Sequence, residues 1–146
     1  MQNNLLMFYT GLTHNANTIL KEETKSLKNN RDKIEATKKL CDMTRELKYS
    51  LEQNNVDALG ETLKRSWEIK RSLAAGISNP LIDSLYQKAL ENGAIGGKLL
   101  GAGGGGFLLF YVPTEEGRNN VRKALSSYQE MPFELDQSGV SIIFMD

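Results

Sequence analysis

The segment GGKLLGAGGGGFLLFYVP, Gly96 to Pro113, carries seven of the chain's thirteen glycines directly ahead of an apolar, strand-like run. Glycine loses more backbone freedom on folding than any other residue, so Gly103 to Gly106 in succession cannot favour a regular element. Two readings are open. One is a flexible hairpin between two strands, although a two-residue Asn-Gly loop would make that turn with less chain. The other is a backbone surface that an anionic or polyol ligand approaches, with amide N–H groups as donors. The segment does not fit G-x-x-x-x-G-K-[ST] and no helix follows it, so it is not a Walker loop. Other chemistries are poorly supplied. With one cysteine, Cys41, and one histidine, His14, a zinc site would have to be completed by carboxylates, and we expect no metal site. A Ser-His-Asp or Cys-His triad would depend on His14, and no G-x-S-x-G elbow is present.

The glycine segment needs strands on both sides, and the rest of the chain provides an order for them. LLMFYT (5–10) reads as a short buried strand stopped by Thr10-Gly11. Asn15-Ala16-Asn17 can open a first helix to about Asn29. Asp32 is a candidate N-cap for a second, with Ile34, Leu40, Cys41, Met43, Leu47 and Leu51 along one side. Asn55 is a candidate cap for a third, in which Val56, Leu59, Leu63 and Trp67 recur at helical spacing; Trp67 is expected in the core. Asn79-Pro80 is a capping side chain followed by proline at the first helical position, and the helix it opens closes at Asn92-Gly93. Strands follow at Ala94–Leu100 and 107–112, then a helix from Glu115 to about Tyr128 and a last strand at 139–145. The order strand, helices, strand, strand, helix, strand predicts an α+β, ferredoxin-like split βαβ fold. Its sheet is antiparallel, its helices lie on one face, and a long helical insertion separates the first two strands.

At 146 residues the chain is expected to form one domain, 1–146, with no internal repeat or linker. Its 18 basic and 18 acidic residues balance, which recommends neither nucleic acid nor an anionic membrane as partner. Lys64, Arg65, Lys70 and Arg71 read as a solvated helical face. One cysteine and no signal peptide ahead of the first apolar run make a cytoplasmic protein the expectation.

KLLGAGGGGFLLFY (98–111) resembles the third motif of the GHMP kinases, in which a lysine, a GAGGGG core and a strand come together. FYTGLTHNANTIL (8–20) resembles the strand and turn that open the C-terminal domain of the sugar kinases in this superfamily. Residues 69–113 are similar to one branch, the D-glycero-D-manno-heptose 7-phosphate kinases. The resemblance covers nearly the whole chain and implies the GHMP C-terminal domain fold. It further implies part of an ATP-dependent sugar kinase acting on the anomeric hydroxyl of a heptose 7-phosphate. On this footing Gly101, Ala102, Gly103, Gly104, Gly105 and Gly106 line the junction of sugar hydroxyl and terminal phosphate. Lys98 then places a charge near a phosphate, unless it is a solvated strand end. Thr10, Gly11 and Thr13 border the same cleft, unless they serve turn chemistry alone. His14 stands where related kinases often have arginine, which weakens a phosphate role for it.

The family's Pro-x-x-x-Gly-x-x-x-Ser-Ser loop does not occur in this sequence. The resemblance therefore puts ATP, Mg²⁺ and the catalytic base mainly in an N-terminal kinase domain, which would be this chain's partner beside the sugar phosphate. The chain alone would then be inactive, with a face prone to self-association. Two alternatives are another GHMP kinase, galactokinase-like or mevalonate kinase-like, and a stand-alone ferredoxin-like ligand-binding or regulatory module.

Overall fold

The computed structural model describes residues 1–13, 17, 19–21, 24, 25, 30–136 and 139. After a single 3-10 turn its elements are β1 (Leu5–Tyr9), α1 (Arg31–Glu52), α2 (Ala58–Leu73), α3 (Pro80–Glu91), β2 (Gly96–Leu99), β3 (Phe107–Tyr111) and α4 (Glu115–Ala124). Residues 17, 19–21, 24 and 25, within the first expected helix, are helical. His14, Asn15, Ala16 and all but Gly139 of the strand expected at 139–145 lie outside the described residues.

The strands form one antiparallel sheet in the order β1-β3-β2, with Leu6 opposite Phe110 and Leu99 opposite Leu108. The helical excursion after β1 delivers the chain to the far edge, and β3 returns to fill the gap. This is the α+β arrangement expected from the order of elements. Beyond α4 the chain runs back along the free edge of β1. Tyr9 N donates to Gln129 O at 2.9 Å, Met131 N donates to Met7 O at 2.8 Å, and Phe8 faces Glu130. No strand is legible at 129–131 in the sequence; an edge partner of three residues has no period to show.

Three helix boundaries differ from expectation, one of them the end of α4, which stops at Ala124 and not near Tyr128. The cap of α1 is Asn30, not Asp32: its backbone is extended, and its side chain accepts from Asp32 N at 3.0 Å and Lys33 N at 3.3 Å. Asp32 lies inside the first turn, where its charge suits the helix dipole. Asn55 does not open α2. Asn54 takes a left-handed φ of 60°, Asn54 N donates to Leu51 O, and Asn55 N donates to Ser50 O. That double bond pattern is a Schellman closure, so QNN ends α1 instead.

Alternation along the strands sends Leu6, Phe8, Leu99, Leu108 and Phe110 into the core. Trp67, 1% exposed, joins them from α2. Tilted ring pairs link Trp67 to Tyr86 (6.2 Å), Tyr86 to Phe110 (5.9 Å) and Phe110 to Phe8 (6.4 Å), tying α2, α3, β3 and β1 together. The helix α2 lies against β2 so closely that a side chain on Gly96 would overlap the Gly60 carbonyl oxygen. On the other face of the sheet Leu5, Met7, Tyr9, Phe107 and Leu109 are only partly buried.

Candidate functional site

The β2–β3 connection leaves the sheet at a neck where Leu100 N donates to Phe107 O at 2.8 Å. Between these residues the chain is anchored on both flanks, which a free hairpin tip would not be. On one flank Gly104 N donates to Ile77 O (3.0 Å), and Asn79 Nδ2 donates to Gly104 O (3.3 Å). On the other, Gly106 N donates to Leu12 O (2.9 Å). Gly106 O in turn accepts from Thr10 N at 2.8 Å and from Thr10 Oγ1 at 2.9 Å. Asn79 also caps α3, its Oδ1 accepting from Leu81 N and Ile82 N at 3.1 Å each. One amide side chain thus holds the start of a helix and the middle of the loop.

The glycines answer to this anchoring first. A Cβ on Gly105 would lie 2.6 Å from Leu12 O, and one on Gly103 would lie 2.7 Å from Ile77 Cα. Gly101, Gly104 and Gly106 have φ of +80°, +76° and +98°, where side chains are strained. The close approach that the glycines permit is therefore, in the first place, that of the chain's own turns. Gly104 and Gly106 spend their amides on these contacts. The amides of Gly101, Ala102, Gly103 and Gly105 donate to no other described residue. They make up the donor surface that the loop can offer an anion.

Thr10, Gly11 and Thr13 do border the loop, with different environments. Thr10 is 2% exposed, and its hydroxyl also accepts from Leu12 N at 3.3 Å, so it clamps the turn from within. Gly11 and Thr13 are exposed. Lys98 goes elsewhere: it shares the β2 face of Gly96 and lines a cavity beside α1 and α2 to which no residue of 101–106 contributes. Burial, then the nearby charge of Lys70, holds its ammonium below the usual lysine range. Ile77 and Leu12 are the participants that sequence reading missed; both act through carbonyl oxygens, which no side-chain pattern announces. Among the described residues no group of three or more His, Cys, Asp or Glu could hold a metal ion. A rigid donor surface without such a group can position and polarise a ligand; it brings no nucleophile of its own.

Residues 47–130, more than half of the chain, match the family model described as GHMP kinases C terminal. The chain belongs to the GHMP kinases. What it represents of them is the C-terminal domain, and the anchored glycine loop falls within the matched residues. Among characterised relatives, D-glycero-alpha-D-manno-heptose 7-phosphate kinase of Campylobacter jejuni is 31% identical over 85% of this chain and 36% of its own length. The bifunctional fucokinase/GDP-fucose pyrophosphorylase of Arabidopsis thaliana is 28% identical over 89% of this chain and 12% of its own. The L. major mevalonate kinase crystal structure, in complex with R-mevalonate, superposes with a TM-score of 0.72 at 20% identity, over 84% of this chain and 37% of that one. The last likeness concerns the fold alone. The chain spans about a third of the heptose kinase and of the mevalonate kinase. In this GHMP kinase domain no helix of the described residues is long and apolar enough to cross a membrane.

Proposed function

We propose that this domain is the C-terminal part of an ATP-dependent sugar kinase that phosphorylates the anomeric hydroxyl of D-glycero-D-manno-heptose 7-phosphate. The observation that carries the reading is the loop anchored between Leu12 and Ile77 with the amides of Gly101, Ala102, Gly103 and Gly105 unengaged by described residues. The choice of sugar rests on the 31% identity to the heptose kinase.

Phosphoryl transfer asks for positioning and electrostatic support, not covalent help from the protein. ATP, when bound, supplies the terminal phosphoryl group. The loop amides donate to oxygens on which negative charge spreads during transfer. Because Thr10, Leu12, Ile77 and Asn79 already hold the loop, little reorganisation is needed as that charge develops. Gly11 and Thr13 lie where the sugar side of the cleft would begin. The described residues offer no ligand cluster for Mg²⁺, so no step is assigned to it in this chain. The base and the nucleotide loop belong to a preceding kinase domain, which we propose as this domain's partner.

A second reading, a fucose kinase, is favoured by the similarity to the Arabidopsis protein and to L-fucokinase/L-fucose-1-P guanylyltransferase of Bacteroides fragilis, 24% identical over 87% of this chain. The test is kcat/KM of the longer gene product on heptose 7-phosphate, fucose, galactose and mevalonate with ATP. Heptose 7-phosphate should lead the panel. Fucose ahead of it selects the second reading, and no turnover on any acceptor selects a ligand-binding module.

A further inference from the structure

Gly104 is buried and held at both of its backbone groups. Its N–H donates to Ile77 O at 3.0 Å, and its carbonyl accepts from Asn79 Nδ2 at 3.3 Å. The peptide joining it to Gly105 is trans and planar, so the Gly104 carbonyl and the Gly105 N–H share one plane and point in opposite directions. Fixing the first therefore aims the second. A carbonyl that accepts a hydrogen bond also polarises the N–H at the other end of its peptide, which makes that N–H a stronger donor. The other amides left to the loop lack this support. Those of Gly101, Ala102 and Gly103 share their peptides with the carbonyls of Leu100, Gly101 and Ala102, which accept from no other described residue. Gly105 is also pressed against its neighbour, since a Cβ there would lie 2.6 Å from Leu12 O.

Asn79 is equipped to hold that direction. Its Oδ1 accepts from Leu81 N and Ile82 N, two donors that only an oxygen can receive, and this leaves its NH₂ end for Gly104. The backbone on either side is fixed as well. Ile77 is fully buried, Ser78 Oγ donates to Asp83 Oδ1 at 2.7 Å, and Pro80 locks φ at the first helical position. We propose that Asn79 is a positioning residue: through the Gly104 carbonyl it aims the Gly105 N–H at one oxygen of the anion bound in the cleft. The identity of that anion, a transferring phosphoryl group, rests on the kinase reading; the direction of the amide does not.

The cap and the aim can be separated, because serine and aspartate cap helices about as well as asparagine does. Asn79→Ser keeps a capping oxygen and has no NH₂ group. Asn79→Asp keeps the shape and turns towards Gly104 O a second oxygen that cannot donate. The first readout is the NMR order parameter of the Gly105 amide in the full chain, free of ligand. It should stand at roughly 0.85 in the wild type and fall below about 0.6 in both variants, while Ile82 stays at roughly 0.85 because the cap survives. The second is the kinetics of the longer gene product with ATP and its best acceptor. There kcat should fall by at least about tenfold in both variants with KM for the acceptor nearly unchanged, the pattern of a contact made in the transition state. An unchanged Gly105 order parameter in both variants overturns the positioning. A lost order parameter with unchanged kcat overturns the part of that amide in transfer. If even the wild type turns over no acceptor, the kinase reading fails, and the order parameters alone decide whether Asn79 aims the amide. If one variant fails to fold, the other decides.

Discussion

At Gly101 and Gly105 the same residue type is needed for different reasons, and substitutions can separate them. A methyl group on Gly105 meets the Leu12 carbonyl, so Gly105→Ala should cost about 1–3 kcal/mol in urea denaturation, as overpacking does. Gly101 has open space around its α-carbon and a φ of +80°, which asparagine tolerates better than other side chains. Gly101→Asn should leave the melting temperature nearly unchanged. In the full-length enzyme it should lower kcat/KM by about a hundredfold, because the new side chain stands over the donor surface. Unchanged kinetics would reduce the loop to a structural turn. Tyr86 offers a pH test. Burial raises its hydroxyl to about 12, with Glu68 adding to the rise while the Gly97 amide and Arg71 oppose it. The Gly97 amide favours the phenolate, yet among the described residues the hydroxyl itself finds no partner in hydrogen-bond geometry. Above pH 10.0 the unfolded chain loses this proton first, so the contribution present below that pH is lost as pH rises towards about 12. Tyr86→Phe should flatten that part of the alkaline stability curve relative to wild type. At neutral pH it should cost little, since it removes a buried hydroxyl that has no partner among the described residues.

Among the elements, α1 and α3 start in the same way, with an asparagine whose Oδ1 accepts two backbone amides. Asn30→Ala and Asn79→Ala should therefore each cost about 1 kcal/mol of stability, the usual value of a lost cap. Only Asn79 also reaches Gly104 O, so only its variant should lower kcat/KM in the full-length enzyme. Equal kinetics in the two variants would mean that the α3 cap does not support the loop. The start of α2 is tied to the sheet by one hydroxyl of β3. Tyr111 Oη donates to Asp57 Oδ1 at 2.6 Å and accepts from Asn4 Nδ2 at 3.2 Å, joining the start of α2 to β3 and to the turn before β1. Tyr111→Phe should cost about 1.5–3 kcal/mol, the range for a bond to a charged group, read as a lower urea midpoint at constant slope.

For the molecule as a whole, the partly buried apolar strip along β1 and β3 is the informative surface. Leu5, Met7, Tyr9, Phe107 and Leu109 are partly buried there, and the Tyr9 and Phe107 rings meet at 5.3 Å directly beside the glycine loop. An apolar strip next to a candidate site is what a cut between domains would expose. The isolated chain should form concentration-dependent dimers in sedimentation experiments, and Leu109→Glu should suppress them. It should fold and yet show no turnover with ATP and sugar phosphates. A strict monomer at high concentration, or turnover by the 146 residues alone, would sink the half-enzyme reading.

What the sequence determined by itself is what neighbours in the chain decide. The two-residue alternation of β1 and β3, the helical spacing around Trp67 and the Asn79-Pro80 start signal all follow from local geometry. The run from Lys98 to Tyr111 was enough to suggest the family. The tertiary structure decided what depends on contacts between distant residues: Thr10 closing on Gly106, 96 positions away, and Ile77 and Leu12 taking up two of the loop's amides. Which amides are left for a ligand, and that Lys98 turns to the α2 side, follow from how α2 and α3 pack on the sheet. The partners in these contacts are backbone carbonyls and packed surfaces, identical in kind at every residue. No pattern of side chains can encode which of them will meet.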